Sequence, residues 1–304
     1  LPGVRLYVKS PTAFLSHPIS NDDERSPSGK PKFARSRLAC LAPLVNMPGV
    51  TAHEIAALTA AATAAGAVNA IAGGGTLITF PVLLFFGTPP VIANATSTFA
   101  LVFGTAGSLY GYREHIAEVK PWLWRFLPVC LLGGFLGAFL LTRTTNETFA
   151  RLVPYLILFA TLLFLAQGTF SRLARYEARH TPPRGALWTA LVFQLGVAIY
   201  GGFFGAGIGI LMLASLGFLG LTHIHQMNSL KTLLGSSINL VAALWFIACG
   251  FVNWPRAILM TAGALVGYYL GAHFAQRIPQ RHVRRLITAV GLTISAVLFY
   301  QQMR

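Results

Sequence analysis

The sequence predicts an all-α fold, a polytopic transmembrane helical bundle, and three observations carry that expectation. Only 10% of the 304 residues are charged and 55% are hydrophobic, whereas a soluble domain carries about 25% charged residues. The apolar residues gather into long runs, and the mean hydropathy is +0.63. The basic residues cluster between those runs, as the positive-inside rule for membrane proteins requires. The net charge of +15 is therefore read as loop charge and not as a nucleic-acid footprint. Lipid is a partner of the chain, and nucleic acid is not expected to be one.

Residues 1–50 are expected to be a polar basic tail followed by a short apolar stretch. Arg25, Lys30, Lys32, Arg35 and Arg37 precede the segment 38–50, which holds Pro43 and Pro48. A cleaved targeting sequence is the alternative reading of this region. Apolar segments then fall near 51–70, 74–87, 91–111, 122–141 and 151–168, which make a first transmembrane repeat over 51–168. A basic linker at 169–184 holds Arg172, Arg175, Arg179 and Arg184 and is placed in the cytoplasm. Segments near 185–201, 205–220, 224–250, 255–273 and 283–300 make a second repeat over 185–304. A crossing needs about 20 residues, so 74–87 and 205–220 are short. About ten segments are expected, or eight crossings if the short ones are re-entrant. The second basic cluster, with Arg277, Arg281, Arg284 and Arg285, lies on the same side as the first only if all four intervening segments cross. This favours ten.

The two halves share a pattern. The first reads Asn69 to Thr76 with Gly73, Gly74 and Gly75, then an apolar run, then Asn94 to Thr98; the second reads Gly201 to Gly209, an apolar run, then Asn228 to Thr232. Gly73 pairs with Gly207, Gly75 with Gly209, Asn94 with Asn228 and Thr98 with Thr232 at one constant spacing. Gly133 and Gly137 pair with Gly263 and Gly267 after a small shift. An odd number of segments per copy reverses the second copy, so an inverted repeat is expected, a common plan in secondary carriers.

Glycine clusters inside greasy segments break or bend helices. A new helix start exposes up to four N–H groups at its positive end, which suits an anion. The alternative is that the glycines serve close helix packing. Asn94 and Thr98, four apart, share one helix face, and so do Asn228 and Thr232. Asn and Thr donate hydrogen bonds to oxyanions; interhelical hydrogen bonding or capping is the competing role. Lys231 stands before some 18 uncharged residues, and no acid follows Glu177 anywhere in the chain. A lysine at that place calls for an anion, unless it snorkels to the membrane surface. The candidate substrate-binding residues are Gly73, Gly74, Gly75, Asn94, Thr98, Gly207, Gly209, Asn228, Lys231 and Thr232. His223 and His225 are candidates for proton coupling, with a loop or entrance location as the ordinary reading. No metal or cofactor is expected: the three cysteines, Cys40, Cys130 and Cys249, form no close pair. No phosphate-binding Gly-Lys-Thr loop is present, so the chain itself is not expected to hydrolyse ATP.

The stretch from Asn69 through Pro81 followed by Asn94 through Thr98, and that from Gly201 through Gly209 followed by Asn228 through Thr232, resemble the two repeats of the TauE/SafE sulfite exporter family. The resemblance covers roughly residues 50 to 300. It implies a multi-pass permease of the bacterial inner membrane that exports sulfite, sulfoacetate or a related sulfur-containing anion. The expectation is therefore an anion carrier and not an enzyme, driven by the proton gradient or the membrane potential, with a homodimer as a candidate assembly. A membrane-embedded assembly factor and a lipid- or quinone-modifying enzyme are the competing classes.

Overall fold

A computed structural model describes residues 51–71, 74–111, 116–177, 186–217, 224–274 and 280–303. All of them belong to a unit that begins at Gly49. The tail 1–48, together with Gly73 and His223, lies outside the described residues. Ten helices make up the described chain: α1 Ala52–Ile71, α2 Thr76–Phe85, α3 Pro90–Gly111, α4 Ile116–Arg143, α5 Asn146–Glu177, α6 Ala186–Phe203, α7 Ile208–Gly217, α8 Ile224–Ala248, α9 Trp254–Phe274 and α10 Gln280–Gln302. Each expected apolar segment has its helix. The fold is an all-α polytopic bundle. One difference is that α5 runs on to Glu177, into the stretch read as linker.

Three stretches are long and apolar enough to cross a membrane unaided: Val119–Arg143, Asn146–Ala166 and Ser229–Ala248. Their outward faces are greasy, with Leu165, Trp124 and Leu244 all more than half exposed. Water would not accommodate such a surface, and lipid does.

The short helices α2 and α7 have ten residues each, a rise of about 15 Å, or half of a bilayer core of about 30 Å. The contacts of α2 show its course. Gly75, at its start, abuts the Ala65 carbonyl of α1, which would lie 2.6 Å from a Cβ there. The far end of α2 reaches the first turn of α1 through Arg256, which bonds both the Phe86 carbonyl and Glu54. So α2 folds back antiparallel along the N-terminal half of α1. From Glu54 to Ala65 is about 16 Å along α1, so α2 starts about half the thickness of a bilayer core from the first turn of α1.

Helices of the two halves pair reciprocally. α1 packs on α9 and α4 on α6; α3 packs on α9 and α4 on α8; α3 meets α8, and α5 meets α10. Glycines make the two closest pairs. A Cβ on Gly267 would lie 2.8 Å from the Thr63 carbonyl carbon in α1, and one on Gly137 would lie 2.7 Å from the Phe203 nitrogen in α6. The glycines matched between Gly133, Gly137 and Gly263, Gly267 thus occupy equivalent helix contacts. In lipid, where apolar side chains gain nothing by leaving the solvent, such backbone approach supplies the packing.

Candidate functional site

Two chain breaks lie inside the bundle. At the first, Gly74 has φ +92°, a left-handed conformation that glycine adopts at little cost. The chain then turns into α2, and the new helix end is largely satisfied by its own neighbours. Asn69 Oδ1 accepts the Gly75 N–H at 3.0 Å, and Asn69 Nδ2 donates to Tyr268 Oη at 2.6 Å. Leu77 and Ile78 donate to the carbonyls of Gly74 and Gly75. The expected set of four free N–H groups is therefore smaller here, because Asn69 and a tightened first turn take up part of it.

At the second break α6 ends at Phe203, and Gly205 and Gly207 have φ +81° and +78°. Tyr200 Oη donates to the Ala206 carbonyl at 2.8 Å and holds the loop against α6. Ile210 N–H closes onto the Gly207 carbonyl as α7 begins. The two breaks meet at one side chain. A Cβ on Gly74 would lie 2.7 Å from Phe164 Cε2, and one on Gly207 would lie 3.7 Å from the same atom. Phe164 is buried near the middle of α5, between Asn146 and Glu177.

The helices that follow the short ones carry the polar residues. Asn94 is fully buried on α3, and its Nδ2 donates 3.0 Å to the Phe203 carbonyl at the end of α6. The first half of the chain thereby caps the broken helix of the second half. Ser97 and Thr79 share a hydrogen bond of 2.6 Å. Since the Thr79 hydroxyl donates to the Gly75 carbonyl, Ser97 is the donor in that pair. Thr98 is buried on α3.

Lys231, the position matched to Ser97, is half-buried on α8, and its stem runs over the first turn of α7. Cδ and Cε lie 3.4 and 3.8 Å from where a Cβ on Gly209 would stand. Gly209 therefore leaves room for a cationic side chain beside the positive end of α7. Lys231, Gly235 and Asn239 fall on one face of α8, and each meets the second break, at Gly209, at Ile208 with Met212, and at Gly205 respectively. Thr232 is half-buried on the same helix. Asn228 and His225 lie in its first turns. Gly73 and His223 lie outside the described residues.

An ion pair escaped the sequence reading. Arg256 Nε lies 2.6 Å from Glu54 Oε1, with both side chains only about a tenth exposed (12% and 9%). The guanidinium also donates to Thr88 Oγ1 at 2.5 Å and to the Phe86 carbonyl at 3.1 Å. One arginine thus ties the starts of α1 and α9 to the end of α2. The sequence signal was an acid and a base each in the first turn of an apolar helix, but those turns are about 200 residues apart. No group of three or more His, Cys, Asp or Glu suited to a metal occurs among the described residues.

A family model described as sulfite exporter TauE/SafE matches residues 58–298. The chain is 30% identical over 237 residues to a probable membrane transporter protein of Haemophilus influenzae, covering 77% of this chain and 90% of that one. It is 28% identical over 261 residues to a probable membrane transporter protein of a Sinorhizobium species, covering 82% and 94%. It is 26% identical over 237 residues to the probable membrane transporter protein YfcA of Escherichia coli, covering 78% and 86%. No solved structure matches the chain.

Proposed function

Because the chain belongs to the sulfite exporter TauE/SafE family, we propose that it is a secondary transporter for a small anion, with sulfite or an organosulfonate such as sulfoacetate as the substrate class. The chain is a multi-pass membrane transporter of the bacterial inner membrane and not an enzyme. The observation that carries the anion reading is the packing of Lys231 across Gly209. An ammonium stem and the N-terminal end of α7 stand side by side, and both are positive. An anion bound there would meet both the Lys231 ammonium and the positive end of α7.

The anion site draws on Gly207, Gly209, Lys231 and Thr232 in the second repeat, with Asn228 at the start of α8. Gly74, Gly75 and Thr98 serve the related break in the first repeat; Gly73 lies outside the described residues. Asn94 acts from behind, through its bond to Phe203. The repeats are an inverted pair, 51–168 and 185–304, joined by the basic cytoplasmic stretch 169–184. The reciprocal pairing of their helices supports this, as does the odd count of five helices in each. Alternating access then follows as one repeat rocks against the other around the shared Phe164.

The test is flux of sulfite, sulfoacetate, thiosulfate and sulfate into proteoliposomes, with binding measured for the wild type and Lys231→Ala. Loss of one charge-assisted contact removes about 1.5–3 kcal/mol, a weakening of about 10- to 150-fold. Unchanged affinity in the variant, or flux no greater than in empty vesicles for every anion, refutes the reading.

A further inference from the structure

We propose that the C-terminal end of α6 holds a sodium ion between the side-chain oxygens of Asn94 and Asn239 and the carbonyls of the unwound stretch 203–206, as the coupling ion for the anion at α7. The proposal rests on the transporter reading above and names the ion that drives it.

Asn94 supplies the first observation. Its Nδ2 is bound to the Phe203 carbonyl, so the amide is oriented; the flipped amide would set two acceptors against each other. Its Oδ1 is then left buried, with no hydrogen-bond partner among the described residues. An unpaired buried acceptor is destabilising, and native structures keep such groups where something else satisfies them.

Asn239 supplies the second. Its Oδ1 lies 3.6 Å from where a Cβ on Gly205 would stand, so a second amide oxygen, from a different helix, reaches the same break. The positive φ of Gly205 and Gly207 turns successive peptide planes there, and Gly205 leaves space that a side chain would fill. The end of α6 is the negative end of its dipole. Unwound carbonyls and C-terminal half-helix ends are the groups that coordinate monovalent cations inside carriers.

The donor chemistry selects the ion. The two side chains are neutral amides, which do not take up a proton near neutral pH. Of the carboxylates whose side chains are described, Glu54 faces Arg256, and Glu147 is exposed beside Arg151. A divalent ion prefers carboxylates to balance its charge, so a single-charged hard cation fits. Lys231 and Asn239 are two helical turns apart on α8, about 12 Å. Cation and anion would thus occupy opposite ends of one break, each at the helix end of opposite sign.

The experiment is thermal unfolding of the purified full-length protein in detergent, titrated with NaCl, KCl and choline chloride at constant ionic strength. No sulfur anion is present, so failure here leaves the Lys231 reading standing, and loss of anion binding in Lys231→Ala leaves the sodium response intact. The wild type is expected to show a saturable rise in Tm specific to sodium. Asn239→Ala should raise the half-saturating sodium concentration by more than about tenfold. Asn239→Asp, which keeps the oxygens and adds charge, should lower it. Equal responses to the three salts, or a sodium response with the same midpoint in both Asn239 variants, overturns the proposal.

Discussion

Gly74→Ala and Gly207→Ala look alike in sequence, since each adds one methyl to a break, yet the structure separates them. Both glycines have φ in the left-handed region, at +92° and +78°, and an L-residue there costs about 1–2 kcal/mol. At Gly207 that is the whole penalty. A methyl would meet Leu163 Cδ1 at 3.6 Å, with the Ala160 oxygen and Phe164 Cε2 both at 3.7 Å, which are ordinary contacts. At Gly74 the methyl would overlap the Phe164 ring, with Cε2 at 2.7 Å. That ring is 2% exposed and has little room to swing away, so overpacking adds about 1–3 kcal/mol. The expected losses are about 2–5 kcal/mol for Gly74→Ala and about 1–2 kcal/mol for Gly207→Ala. Reversible unfolding in detergent, monitored by tryptophan fluorescence, measures both. Repeating the pair in a Phe164→Leu background isolates the contact. The Gly74 penalty should shrink there by about the overpacking share, while that of Gly207 stays. A Gly74→Ala cost no larger than that of Gly207→Ala, or one unchanged by Phe164→Leu, would refute the idea that the Phe164 ring closes over the first break.

Removing one member of the Glu54–Arg256 pair strands a buried charge, so Glu54→Gln or Arg256→Met should each lose about 3–5 kcal/mol in the same unfolding assay. The double change Glu54→Leu with Arg256→Met should recover most of that loss, because no lone charge remains. Gly267→Ala should push α9 off α1, since its methyl would lie 2.8 Å from a backbone carbon of Thr63, and a drop in Tm with weakened cross-linking between cysteines placed on α1 and α9 would report it. Gly196→Ala, where the added methyl meets nothing within 4 Å beyond the backbone of its own helix and its chain neighbours, should instead raise stability by up to about 1 kcal/mol.

Some of the site was readable before the fold. The glycine runs at Gly74 and Gly205 to Gly209 announced breaks, because few residues other than glycine accept those dihedrals. The place of Lys231 before an uncharged run marked it as a lysine in an apolar stretch, and the structure puts it half-buried on α8 over Gly209. Asn94 was legible as a polar helical residue, with capping as its competing role, but the helix end that it caps was not, since Phe203 is 109 residues away. Asn69 and Tyr268, bonded across 199 residues, carried no local signal. The free N–H groups expected at α2 were overestimated for the same reason: the Asn69 side chain that takes up the Gly75 N–H is placed by tertiary packing.

By itself the sequence determined that this chain lives in lipid, that it is helical, where its ten segments lie, and that its halves share a pattern of glycine, asparagine and threonine. Those properties follow from composition, run length and period, which act along the chain over one or two helical turns. Only the tertiary structure decided that α2 turns back beside α1, that Phe164 stands between both breaks, that Lys231 lies over Gly209, and that Glu54 meets Arg256. Each of these joins residues brought together by glycine-mediated helix contact. Such contacts depend on how whole helices fit against one another in three dimensions, and linear spacing does not encode that fit.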